Sequence, residues 1–388
     1  MAIRNWLEDK FVEVYGSGDE VIHFFFAPGR VNLLGDHTDY NGGYVMPMAL
    51  DMGTYLVLRR NEKQCFSFAS TNKEGRFDIP VQEAHQPQQG EWINYPLGVL
   101  HHLKLAGASF LGYDMLYHSD LPIEAGLASS AAMEVVTAVA MNELYALQHE
   151  KKDLALLCHK AENEFVGIPC GIMDSFAIAL HRKNTALFLN CATQNFTHVP
   201  FLHEGVSLVI ANSNISRQLT ESQYALRREE CEQAAAIIRE TRPLDNLGQL
   251  HANDFNKLIP LFSDHEVLMK RLRHVVGEDM RVLTAAKAMH DNDMPRLGAL
   301  MLDSHISLRN DFEVSCEALD ALIEEAYNTH LSIGSRMTGA GFGGCTVNLV
   351  NLGAEQEFIE KVGEQYKQRT GLIADFYLVK TGKAAGRI

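Results

Sequence analysis

The sequence predicts an α+β protein of two lobes with a cleft between them. Three observations predict it. Strand-like apolar runs alternate with helices through the first half, a succession of helices follows residue 214, and two late strands flank a final helix. A chain of 388 residues also exceeds one ordinary core, so two domains are expected, 1–200 and 201–388.

The strand runs are VIHFFFAP (21–28), YVMPMALDMGTYLVLRR (44–60) and FLGYDMLYHSDLP (110–122), each rich in β-branched or aromatic residues. Between about 128 and 147, Ala132, Val135, Val136, Val139 and Ala140 fall on one helical face. A second helix, roughly 150–166, spaces Leu154, Leu157, Cys158 and Ala161 in the same way. SLVIANSN (207–214) reads as a strand, after which Thr220-x-x-Gln223 resembles a capping box opening a helix through about 241. The late strands are CTVNLV (345–350) and ADFYLVK (374–380).

Composition excludes several classes. With 34 basic and 49 acidic residues the formal charge is −15; nucleic-acid partners, which need a basic face, are not expected, though a nucleotide substrate is compatible. Seven dispersed cysteines without a CxxC pair suggest free thiols in a reducing compartment, not a disulfide frame or zinc site. The charged N-terminus lacks a signal-peptide core, and no apolar run has the length of a membrane span. A cytoplasmic protein is expected, monomeric by default.

Four stretches carry more polar chemistry than structure alone requires. APGRVNLLGDHTDYNGG (27–43) gathers an arginine, two aspartates and four glycines where a turn needs about two such residues. LPIEAGLASSAAMEVV (121–136) runs from a Pro/Gly loop through two serines into the amphipathic helix. Free N–H groups and the positive helix end then converge on one spot, suiting an anion as well as a plain serine N-cap. GSRMTGAGFGGC (334–345) formally contains G-x-G-x-x-G, but the strand leaves the glycines instead of preceding them, which rejects a dinucleotide fold. P-loop and protein-kinase motifs are absent. In HKAENEFVGIPCGIMDSFAIAL (159–180), Glu162 lies near a helix end and Asp174 follows a Gly-containing break within apolar sequence.

Taken in order, GRVNLLGDHTDYNGG, GLASSAAMEV and GSRMTGAGFGGC resemble the three motifs of the GHMP kinase superfamily, and the first is similar to the signature of the galactokinase family. AENEFVG, PCGIMD, SQYALRREEC and SHISLRNDFE resemble further segments of that family, so the likeness runs nearly end to end. It implies a two-lobed GHMP kinase fold with the active site in the interlobe cleft, and ATP-dependent phosphorylation of a sugar's C1 hydroxyl, giving galactose 1-phosphate. By position, the resemblance makes Asp174 the residue that takes or orients the hydroxyl proton, and puts Arg30 beside it and the γ-phosphate. Asp36, His37 and Asp39 would bind sugar hydroxyls, with Gly171 and Tyr224. Gly126, Leu127, Ala128, Ser129 and Ser130 would wrap the ATP phosphates, Gly339 and Gly341 would close over them, and Ser130 and Glu162 would hold Mg²⁺. Such a site fits phosphoryl transfer, which asks for positioning and for charge around the transferred oxygens.

Three positions depart from the family pattern: Asp36 stands for the usual Glu, Ala128 for a serine and Ser175 for a Gln. The shorter Asp36 opens a kinase for a related sugar, such as N-acetylgalactosamine, as an alternative. A non-catalytic sugar and ATP sensor is the other, although Arg30, Ser130, Glu162 and Asp174 are all retained.

Overall fold

The structure is a computed structural model describing residues 2–122, 125–201, 205–215 and 220–388. The first half runs α1 (Ala2–Tyr15), β1 (His23–Asn32), β2 (Tyr44–Val45), β3 (Pro47–Arg60), β4 (Cys65–Ser70), β5 (Arg76–Pro80), α2 (Asn94–Leu105), β6 (Tyr113–Ser119), α3 (Ser129–Leu144), α4 (Lys151–Lys160), α5 (Met173–Leu180), β7 (Thr185–Asn190) and β8 (Asn195–Pro200). The second runs β9 (Val206–Asn212), α6 (Thr220–Arg239), α7 (Ala252–Leu258), α8 (Glu266–His290), α9 (Met294–Ser307), α10 (Glu317–Asn328), β10 (Ser332–Met337), β11 (Cys345–Asn351), α11 (Glu355–Thr370), β12 (Asp375–Val379) and β13 (Gly386–Arg387).

The strand runs assemble as β13-β1-β3-β6-β4-β5, a sheet whose inner face packs on α2, α3, α4 and α5. Phe25, Leu56, Phe66 and Met115 from the sheet meet Val135, Val136 and Val139 from α3, the face the helical spacing predicts. The second sheet, β10-β11-β9-β12, buries Val209 and Val350 against Leu322, Phe358 and Tyr366 of α10 and α11. Its opposite face, through Ile210 and Val347, packs with Leu297 and Met301 of α9 and with Val31, Met46 and Met48 of the first half. One apolar cluster thus glues the two halves at the ends of β1 and β3, and β13 brings the last residues back to the edge of β1.

Local boundaries differ from the sequence expectation for identifiable reasons. The helix expected over 150–166 is α-helical to Lys160, then widens into a π segment, Ala161–Val166, that ends at left-handed Gly167. The expected opening of α6 falls where it should, but the Thr220 side chain lies outside the described residues. Among the described residues no helix is long and apolar enough to cross a membrane.

Helix α8 presents two adjacent buried carboxylates to the loop after β1. Glu278 accepts from Gly35 N at 2.8 Å, Ser304 Oγ at 2.6 Å and Arg281 Nε at 2.6 Å. Burial opposes its charge, but Arg281, His274 and Arg336 hold the carboxyl down at about 2. Asp279 accepts from Tyr44 N at 2.7 Å, while its Oδ2 is buried without a partner. Burial therefore pushes Asp279 up to about 8. The folded protein keeps a proton at Asp279 that the unfolded chain, near its ordinary value of 3.8, releases. This contribution is complete below pH 3.8 and is lost as pH rises towards 8. Asp279→Asn preserves the acceptor for Tyr44 and removes the titration. Urea unfolding is expected to show the variant gaining ~1–3 kcal/mol on the parent between pH 5 and pH 8.5; parallel pH profiles would contradict the assignment.

Candidate active site

Past a bulge in β3, where residues 50–52 lie opposite Gly29 alone, Arg30 resumes pairing with Ala49. Its backbone N donates to Leu127 O at 3.0 Å and its Nη1 to Gly126 O at 2.6 Å, so the first motif is stitched to the second. Its Nε and Nη2 donate to the two carboxylate oxygens of Asp174 at 2.7 and 2.6 Å, a bidentate pair spanning 144 positions. Asp174 occupies the first turn of α5, where the helix dipole favours a carboxylate. Arg30 is 5% exposed, whereas the Asp174 side chain keeps 28%. The guanidinium forms the back wall and the carboxylate faces the cavity.

That cavity, about 360 Å³, is lined by Arg30, Asp36, His37, Asp39, Glu162, Gly171 and Asp174 from the first half, and by Tyr224, Gly339 and Ala340 from the second. Its size suits a small polar ligand. It brings together residues from every motif of the sequence reading. It also recruits Tyr95 and Cys170, which that reading missed: Tyr95 belongs to α2, whose sequence looks like an ordinary core helix, and Cys170 reads as one more isolated thiol.

The second motif enters α3 in an unexpected way. The helix starts at Ser129, so its N-cap is Ala128, in the left-handed region at φ 63° with no side-chain cap. The plain serine cap is therefore not formed, and an L-residue is held where a glycine would be more comfortable. The first-turn N–H groups are left without a capping side chain, at the positive end of a 16-residue helix. Leu127 and Ala128 are buried beneath this turn, and Ser130 lines the cavity.

Across the cavity wall, Glu162 accepts hydrogen bonds from the Ser130 hydroxyl and, at 3.2 Å, from Cys170 Sγ. Burial raises its carboxyl above the ordinary range, against the pull of the Cys170 bond. Glu134, one turn after Ser130 on α3, is fully buried and neither of its oxygens has a hydrogen-bond partner. Burial and then the charges of Glu162 and Asp174 push it well up. Such a pocket fits a divalent cation: a hydroxyl and a carboxylate are hard oxygen donors, and the neighbouring acids make positive charge welcome. Among the described residues no group of three or more His, Cys, Asp or Glu side chains is placed to hold a metal ion by itself.

The third motif is a hairpin between β10 and β11 whose turn is tied to the first motif. Thr338 Oγ1 accepts from Asn32 N at 2.9 Å, and the fully buried Arg336 donates to Leu33 O at 3.0 Å and to the Asp36 carboxylate. Gly339 and Gly341 have φ of 85° and 83°, conformations that a side chain would strain, and Gly339 lies over Gly126 O. The strand does leave the glycines, as the sequence indicates.

The remaining predicted residues form the opposite wall. Burial, and then neighbouring His274, push His37 down to about 3, so its ring is neutral. Because a carbonyl only accepts, Nε2–H donates to Ala340 O at 3.2 Å and Nδ1 accepts from Tyr40 OH at 2.9 Å. Tyr224 packs 5.5 Å from the His37 ring. Asp39 rests against Gly171, where a Cβ would overlap its carboxylate, and accepts from Tyr40 N. Burial and the Asp174 charge push Asp39 up to about 7.

Comparison with known proteins agrees with this geometry. The description "Galactokinase galactose-binding signature" matches residues 9–60, "GHMP kinases N terminal domain" residues 94–182 and "GHMP kinases C terminal" residues 285–368. Fold and site thus define a GHMP kinase. A galactokinase of Fusobacterium nucleatum is 40% identical over 397 aligned positions covering all of both chains. The crystal structure of Lactococcus lactis galactokinase complexed with galactose superposes with a TM-score of 0.96 at 35% identity over the full length of each. The chain belongs to the galactokinase family, a family of sugar kinases. Methanococcus jannaschii mevalonate kinase shares the fold, with a TM-score of 0.67 at 18% identity over 94% of this chain and 99% of that one.

The Arg30–Asp174 pair has a stability signature. Removing either partner strands a charge in a mostly dry wall, while removing both does not. In urea unfolding, Arg30→Met, Asp174→Asn and the double variant are expected to give a coupling energy of about 2 kcal/mol, less than for a wholly buried pair because Asp174 keeps some exposure. Additive losses would show that the two side chains do not act as one unit.

Proposed function

We propose that the protein transfers the γ-phosphoryl group of ATP to the anomeric hydroxyl of galactose, yielding galactose 1-phosphate and ADP. The observation that carries this reading is the accessible Asp174 carboxylate, backed by Arg30 and placed in one cavity with the uncapped start of α3. The C1 oxygen attacks phosphorus as the bond from the γ-phosphorus to the bridging oxygen breaks. The hydroxyl proton passes to Asp174. Because both carboxylate oxygens already accept from Arg30, Asp174 acts first by orienting the hydroxyl and takes the proton late. Arg30 faces the charge that builds on the transferred group.

The segment Gly126–Ser130 supplies amide donors and the helix dipole to the phosphates, and Gly339 and Gly341 cover them. Ser130 and Glu162 would hold Mg²⁺, which when bound neutralises phosphate charge. Asp39, the Gly171 backbone and Tyr224 face the sugar. The seven free cysteines suit a reducing cytoplasm, where we place the protein as a monomer.

An ATP-coupled assay across galactose, glucose, N-acetylgalactosamine and talose tests the substrate. Galactose is expected to lead in kcat/KM by at least about tenfold, and a flat panel or a lead for another sugar would refute it. In the same assay Asp174→Ala is expected to lose on the order of a few hundredfold in kcat; near-normal turnover would remove Asp174 from the mechanism.

A further inference from the structure

Cys170 lines the cavity, and nothing in the transfer described above uses it. Each of its polar atoms is nevertheless engaged. Its N donates to Asn163 Oδ1 at 3.2 Å, and its O accepts from His159 Nε2 at 3.2 Å. Its sulfur lies 3.1 Å from Asn163 Nδ2 and 3.2 Å from Glu162 Oε2. An amide nitrogen only donates, so a sulfur lone pair goes to Asn163 and the single S–H goes to Glu162. The donors therefore run in one direction, from Asn163 to Cys170 to Glu162. Asn163 is anchored in turn, because its Nδ2 also donates to His159 O at 2.9 Å.

Glu162 and Asn163 are consecutive residues of the π segment, and both reach the same sulfur. The Glu162 carbonyl accepts from Gly167 N at 3.0 Å and Ile168 N at 3.1 Å, which folds the chain back and returns Cys170 to the helix end. Two neutral donors hold the Glu162 carboxylate, the Ser130 hydroxyl and the Cys170 thiol. Arg30, the guanidinium that acts on it through space, is committed to Asp174. Close to Glu162, the fully buried Glu134 leaves both oxygens without a hydrogen-bond partner. Two acids with no cation of their own point to a positive ligand. A thiol is a weak donor, so it orients a carboxylate without neutralising it. An arginine or lysine in its place would cancel the charge that a divalent ion needs.

We propose that Cys170 is a positioning residue for the cation site: its thiol, aimed by Asn163, keeps the Glu162 carboxylate turned towards Ser130. The proposal rests on the reading of Ser130 and Glu162 as the residues that receive Mg²⁺ with ATP. Without the S–H the carboxylate keeps one donor and is free to turn, so the share of nucleotide affinity that depends on Mg²⁺ falls. Affinity for the nucleotide alone is unaffected, because Glu162 is the group that the thiol proton reaches.

The test titrates a fluorescent ATP analogue into the full-length protein twice, with excess Mg²⁺ and with EDTA. The ratio of the two dissociation constants is the enhancement due to the cation. Cys170→Ala is expected to reduce that enhancement by about tenfold, with the constant in EDTA within about twofold of the parent's. Cys170→Ser, which keeps a donor, is expected to stay within about threefold of the parent's enhancement. An unchanged enhancement in Cys170→Ala overturns the proposal, as does a serine variant no better than alanine. So does an equal loss with and without Mg²⁺, which is what a side chain needed only for packing would give. Should the alanine variant fail to fold, Cys170→Val, which fills the space without a donor, goes through the same titrations. A parent whose nucleotide affinity ignores Mg²⁺ would bring down the reading of the cation site and the proposal with it. A responsive parent beside an equally responsive alanine variant brings down the proposal alone.

Discussion

A salt bridge with no access to water, Arg336 to Asp36, connects chain positions 300 residues apart. In a dry interior such a pair is weak evidence for stability, since desolvation offsets most of the attraction, but it is strict about geometry. Neither charge tolerates a shift of its partner. Around it the backbone of the first motif is fixed from both sides: Arg336 on the carbonyls of Asn32 and Leu33, Thr338 on the Asn32 amide, Glu278 on the Gly35 amide and His274 on the Asp36 carbonyl. A loop that carries function needs such bracing, because its own turns would otherwise leave it mobile. Here the bracing comes almost wholly from the second half of the chain, which is why a cleft between lobes holds a rigid wall.

How much of this could be read from sequence depended on whether the signal was local. Arg30, Asp174, Ser130 and Glu162 were legible because each sits in a short block with an unusual density of Gly, hydroxyl or carboxylate residues. The docking of Arg30 on Gly126 and Leu127 and the left-handed Ala128 were not, since both are outcomes of packing between segments about a hundred positions apart. Arg336 lies inside GSRMTGAGFGGC, a stretch the sequence marks as dense in polar and Gly residues, but that it is buried on Asp36 follows from tertiary register. Glu278, Asp279 and His274 were invisible for a plainer reason. On α8 they sit among Arg271, Arg273 and Arg281, and a helix with charges of both signs looks like a solvated face until its buried side is known.

The π segment at Ala161–Val166 illustrates the same limit. The helical spacing through Leu154, Leu157, Cys158 and Ala161 predicts a continuous helix, and the apolar positions do face the core. The widened turn keeps Glu162 within reach of Ser130 and Cys170 and lets the chain end at Gly167 in time to present Gly171 and Asp174 to the cavity. Periodicity reports which face is buried, whereas a single widened turn changes where the next carboxylate points without altering that face.

The electrostatics of the cavity pose a problem that its architecture answers. Asp36, Asp39, Glu162 and Asp174 all line it, and the chain as a whole carries −15, yet the ligand that the family phosphorylates with is itself a polyanion. Arg336 is committed to Asp36 and Arg30 to Asp174, so two of the four carboxylates are already compensated. Burial drives the other two towards their protonated forms, Asp39 to about 7 and Glu162 in the same direction, and raises Asp36 as well despite Arg336. On the proposed reading, attraction for phosphate rests on the oriented backbone amides at the start of α3, which carry partial charge at no desolvation cost beyond that already met in folding, and on a cation held by Ser130 and Glu162. Such a cavity would offer its carboxylates to a polar sugar and admit a triphosphate that arrives with its own counter-charge.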